Sequence, residues 1–152
     1  MSNSGEMNDD RMALDLLIRG FQVSQMLRLV ADLELADRVP LDGHADLTEL
    51  AGLCGVHAAP LLRVVRALAA FEVFAITADE QVRHTVRSKL LRRDMPNSMH
   101  YGARFWAGPG SWKAWGCLAV ALSGEVPHEA AWNTIGSPIS AIIPKRPGSS
   151  TT

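Results

Sequence analysis

The sequence has 152 residues, 47% of them hydrophobic, and its 15 Lys and Arg against 16 Asp and Glu leave a net charge of −1. That length suits one domain with its own core, and the composition excludes a disordered chain and a surface charged for nucleic acid or anionic lipid. No run of about 18 uncharged apolar residues could span a bilayer, and the acidic start MSNSGEMNDDR is unlike a signal peptide, so the expected compartment is the cytoplasm. The two cysteines, Cys54 and Cys117, each lie in an apolar helical pattern and read as buried free thiols in preference to a disulfide.

Residues 1–10 read as a disordered lead, and the domain is expected over 11–133. From Arg11 to about Leu33 the pattern is one long helix with two apolar stripes, Leu14, Ile18 and Phe21 on one side and Leu16, Val23, Leu27 and Val30 on the other. A surface helix needs only one such stripe. Two stripes mean either a central core helix or a helix shared with another subunit.

Asp42-Gly43 reads as a turn, after which Asp46 caps a short helix through Leu53, with Glu49 three residues on as in a capping box. Gly55 closes that helix, and Pro60 stands in the first turn of the next, which runs to about Glu72. Val73–Ile76 and Gln81–Thr85 read as two strands of a hairpin turning at Ala78-Asp79-Glu80. A helix-turn-helix followed by a hairpin is a winged helix. A third helix is expected over VRSKLLRRDM, ending before Pro96. Helix continues over 97–107, breaks at Gly108-Pro109-Gly110, and resumes with Trp112, Trp115, Ala119 and Leu122 until Gly124 and Pro127. Residues 134–152 hold three prolines and no acidic residue, and read as a disordered tail of the kind a truncation or a shifted reading frame leaves.

Winged helices often bind DNA, which makes a DNA-binding transcriptional regulator the alternative reading. The candidate recognition helix, AAPLLRVVRALAAFEV, offers only Arg63 and Arg66, too little to read base edges. The cluster Arg83, Arg87, Lys89, Arg92 and Arg93 reads as a solvated helix face, with phosphate contact as its other use. Nucleic acid is therefore disfavoured. His44, His57, His84, His100 and His128 are scattered without metal-ligand spacing, and no nucleophile elbow occurs, so no metal or catalytic residue is expected. Gly108-Pro109-Gly110 is a poor nucleotide loop, because a helix precedes it and its proline has no N–H.

Four stretches, GFQVSQMLRLVADLELADRV, DLTELAGLCGVHAAPLLRVVRALAAFEVF, RSKLLRRDMPNS and GSWKAWGCLAVALSGEVPHEAAW, together resemble the N-terminal domain of small-molecule O-methyltransferases, from about Leu14 to Trp132. This family includes plant caffeate-type enzymes and methyltransferases of polyketide and carotenoid pathways. The resemblance implies an all-α winged-helix dimerisation domain with a small β-hairpin wing. It implies a homodimer, or a heterodimer with an intact methyltransferase, formed by intertwining. The dimer interface is then expected at Leu14, Ile18, Phe21, Val23, Leu27, Trp112 and Trp115.

Phe21 and Met26 match a helix that reaches the partner's substrate pocket, and Phe105 and Trp106 match positions that look toward it. Those four residues are expected to line a pocket for a flat aromatic small molecule. In full-length relatives S-adenosylmethionine and the catalytic base belong to a following Rossmann-like domain. Its glycine loop, ribose-binding acid and base have no counterpart in this sequence, so no cofactor is expected in this chain, which reads as inactive by itself.

Overall fold

In the computed structural model, which describes residues 3–133, the chain divides into two compact units, one running to Ala107 and one starting at Gly108. The first helix, α1, spans Asn3–Asp32. It begins at Asn3, within the stretch read as a disordered lead, and not at Arg11. Residues 134–152, read as a tail, lie outside the described residues. The C-terminal end of α1 enters the core, with Val30 and Ala31 buried. Beyond it Leu33 N–H bonds to Leu29 O at 3.0 Å, and Glu34 takes a left-handed φ of 52°. That conformation costs a non-glycine residue about 1–2 kcal/mol. Arg93 holds the Glu34 carboxylate at 2.7 Å, and the reversal lets α2 (Leu35–Arg38) bury Leu35 and Ala36.

The next two helices are α3 (Leu47–Cys54) and α4 (Ala58–Ala69), and the chain bends by 112° between them, as a helix-turn-helix requires. Asp46 caps α3: its Oδ1 accepts from Thr48 N–H at 2.8 Å and from Glu49 N–H at 3.1 Å. Gly55 closes α3 at φ 68°, the left-handed region that favours glycine. Along α4, Leu61, Val65 and Leu68 are buried at helical spacing. That helix stops at Ala69, short of the expected Glu72. Glu72 turns to φ 55°, and Val73 N–H reaches back to Leu68 O at 3.1 Å.

The wing has three strands where two were expected. β2 (Phe74–Ile76) and β3 (Gln81–His84) form the hairpin, and β1 (Ala45–Asp46) adds to the other edge of β3, for an antiparallel order β1-β3-β2. The register sets Ala45 against Val82 and Phe74 against His84. A strand of two residues carries no readable alternation, which is why the sequence does not announce β1. Val82 and Phe74 face the core, beside Leu35, Leu47, Leu50, Val65 and Leu68.

The third helix is shorter than expected. α5 covers only Val86–Lys89, although Thr85 and Ser88 form a full capping box at its start. Leu90, Leu91 and Arg92 then close tight turns to residues three back, and the chain folds around the Arg92 side chain. That guanidinium donates to Ala36 O and Val39 O, both at 3.3 Å, and pairs with Asp94 at 2.7 Å. The Val39 carbonyl also accepts from His84 Nε2 at 3.1 Å, which leaves His84 Nδ1 to accept from the Ser88 hydroxyl at 2.9 Å in the neutral ring. α6 (His100–Trp106) returns against α1: Gln25 Nε2 donates to Ala107 O at 3.0 Å, and Arg104 pairs with Asp32 at 2.7 Å.

In the second unit Gly108 precedes α7 (Pro109–Gly116), whose first residue is the proline. The tryptophan helix ends sooner than its spacing suggests, because Leu118–Ser123 continues as a tighter 3₁₀ helix until Gly124 at φ 82°. Pro127 then opens α8 (Pro127–Asn133), which packs on α7. Cys117 in this unit is buried and Cys54 in the first is half-buried, both as free thiols. Burial pushes the Cys54 thiol above its usual value.

Two measurements test this architecture. Asp46→Ala removes the α3 cap and should lower stability by about 1 kcal/mol, read as a lower urea midpoint. Burial, with the charges of Arg92 and Lys89, holds His84 below its ordinary value of 6.5, against the opposing pull of the Val39 and Ala36 carbonyls. The unfolded chain therefore takes up this proton first as pH falls. The His84 contribution is complete above pH 6.5 and is lost as pH drops from there toward the lower folded value. The stability difference between the protein and His84→Gln should narrow between pH 7.5 and pH 5.

Candidate association surface

The apolar stripes of α1 have different fates along the helix. In its C-terminal part, Met26 and Leu27 pack against the core and Val30 is buried. In its N-terminal part both stripes are exposed: Leu14 is 58% exposed, Leu16 52%, Ile18 65% and Phe21 51%. Leu17 beside them is 78% exposed. Contiguous apolar surface on this scale marks an association site far more often than a free monomer face.

The stripe of Leu16, Val23 and Met26 borders an open groove of about 890 Å³, whose other wall is Ala67, Ala70 and Phe71 from the end of α4. A second groove, about 380 Å³, lies on another side of the first unit, between Leu27 of α1, Leu90 and Leu91 after α5, and Met99, Ala103 and Trp106 around α6. The four residues read as pocket-lining are not gathered around one cavity. Met26 lines the larger groove and Trp106 the smaller, while Phe105 stacks edge-on against Trp106 with ring centres 5.0 Å apart. Trp112 and Trp115 belong to the second unit, where they are 43% and 64% exposed.

Four of the basic residues, Arg66, Arg87, Arg92 and Arg93, are engaged within the molecule. Arg66 pairs with Glu80 at 3.5 Å, Arg87 with Glu72 at 3.4 Å, and Arg93 with both Glu34 and Asp37. These pairs lower the positive potential that phosphate contact would need. Sequence reasoning saw the arginines but not their partners, which lie far along the chain. It also missed the His84–Ser88–Val39 link, whose only local signal is the spacing of His84 and Ser88 on either side of the Thr85 cap.

No group of three or more metal-type ligands occurs among the described residues, and no single helix there is long and apolar enough to cross a membrane. The described residues do not fit S-adenosylmethionine either. Their strands form one antiparallel sheet, with no strand–glycine loop–helix unit, and Gly108-Pro109-Gly110 serves to open α7.

Residues 16–94 match the family model of the O-methyltransferase dimerisation domain. The chain is 34% identical over 119 residues to the phenazine O-methyltransferase PhzM of Lysobacter antibioticus, an alignment that covers 78% of this chain and 34% of that protein. The crystal structure of LaPhzM superposes with a TM-score of 0.74 at 32% identity, over 82% of this chain and 37% of that one. CalO1, a methyltransferase of calicheamicin biosynthesis solved in its SAH-bound form, shares the fold with a TM-score of 0.61 at 24% identity, over 82% of this chain and 43% of that one. The chain thus spans about a third of the length of the relatives it matches. With the helix-turn-helix, the wing and α1 from Leu16 onward inside the matched region, the chain belongs to the O-methyltransferase dimerisation domain family.

Proposed function

We propose that this chain is a pairing module that brings two copies together through α1, in the manner of a small-molecule O-methyltransferase. The observation that carries the reading is the exposed stripe of Leu14, Ile18 and Phe21 on a helix whose far end is anchored in the core. A two-fold pair uses the same patch on both copies. Val23 and Leu27, on the other side of α1, belong to the same interface in this reading, as do Trp112 and Trp115 of the second unit.

The same face suits a heterodimer with an intact methyltransferase of this family. In either assembly Phe21 and Met26 of one copy would meet Phe105 and Trp106 of the other around a site for a flat aromatic molecule, and the S-adenosylmethionine site lies in the part of such enzymes that this chain does not match. Phosphate contact is secondary in this reading, since Arg66 and Arg87 beside the wing are already paired.

Sedimentation or light scattering at micromolar concentration should give twice the chain mass. Ile18 is 65% exposed in the single chain, so Ile18→Asp leaves the core intact but sets two charges in the pair interface. Losing about 1.5–3 kcal/mol of burial on each side should weaken dimerisation by about 100-fold or more. Val30→Asp, at a core position, should instead unfold the chain. A wild-type chain that stays monomeric at about 100 µM would rule the reading out.

A further inference from the structure

Among the described residues, the N-terminal part of α1 makes no hydrogen bond or ion pair to another element. Every described side chain from Met7 to Arg19 is exposed. The hydrogen bonds and ion pair of this stretch, Asn8 to Met12 and Arg19 to Asp15, stay within the helix. A helix of about 12–15 residues is marginal in water even when rich in alanine. This one contains Asn8, Asp9 and Asp10, and it meets the anchored part of α1 at Gly20. Glycine is the poorest helix former after proline. Nothing in the single chain demands it here, because a Cβ built on Gly20 meets no atom within 4 Å.

A helix so placed must be held from outside. Its two stripes ask for two contacts, one on the outward face of Leu14 and Ile18 and one in the groove that Leu16 borders with Phe71 of α4. A second copy offers both, since its own outward stripe is apolar like the groove of the first and a two-fold exchange is reciprocal. The groove is bordered by α1 from Arg11 to Met26, a length of about 22 Å at the rise of an α-helix. That matches a helical segment of similar length and is far longer than any side chain.

We infer that residues 7–20 become helical only on association, so that pairing and folding of this arm are one event. The inference rests on the self-association proposed above. The α1 conformation in the structure is that of the assembled state. Below the dissociation concentration the arm is an open chain, while the core from Val30 onward stays folded.

Amide hydrogen exchange on the full chain tests this directly. At about 100 µM, with the dimer verified by sedimentation, amides of residues 7–20 should be protected. In Ile18→Asp they should exchange about 100-fold faster, with protection at 61–68 unchanged. An arm that stays protected in that monomer, or that exchanges freely in the wild-type dimer, overturns the inference but leaves self-association standing. A wild-type monomer removes both.

Gly20→Ala supplies the second readout. It favours the helix in each arm, so coupled folding predicts a dimer tighter by about tenfold or more. If the arm were already helical in the monomer, the substitution would stabilise both states equally, and an unchanged dissociation constant would overturn the inference.

Discussion

One helix has to serve two purposes, and the division of α1 between them governs the rest of the molecule. At Val30 and Ala31 it is a core element, packed with α2, α3 and α4 around Leu35, Leu50 and Leu68. Toward Met7 it is a surface element whose apolar side chains are exposed. The hydrophobic effect makes no distinction between burial within a chain and burial between chains. The buried end fixes where the exposed end points, and the left-handed Glu34 fixes the buried end by reversing the chain into α2.

A small polar knot holds the wing to this frame. The Val39 carbonyl accepts from both His84 and Arg92, so the end of α2, strand β3 and the turns after α5 converge on one acceptor. Ser88, fully buried, completes the knot by bonding the His84 ring and the Thr85 backbone. Buried polar groups of this kind stabilise only when satisfied. Here the geometry satisfies them through a local capping box and two contacts of long sequence separation. The family's winged-helix shape is kept while the recognition helix α4 turns an apolar stripe inward and the neighbouring arginines pair with carboxylates. A fold shared with DNA readers is thereby available for pairing proteins instead.

Much of this was legible in the sequence, and the reasons are specific. Asp46, Gly55 and Pro60 announce helix ends because their local chemistry is nearly sufficient by itself. The period of Leu61, Val65 and Leu68 gives α4, and the two stripes of α1 give its unusual load. What escaped depends on distant partners. The early end of the helix after Thr85 follows from Arg92 being drawn to Ala36 and Val39, more than fifty residues away. Strand β1 exists because β3 offers an edge to two residues that have no pattern of their own.

Asp46 illustrates how tightly such a small domain is wired. One of its oxygens holds the first turn of α3, while the other accepts from Gln81 Nε2 at 3.2 Å, and its backbone pairs with the same residue in the sheet. The helix-turn-helix and the wing therefore share a single carboxylate. Substitutions at positions 46 and 81 cannot be independent in their effects, because each changes what the other is worth. Losing the Gln81 amide would leave the Asp46 carboxylate with its α3 cap alone, and losing the carboxylate would free both the helix end and the strand at once.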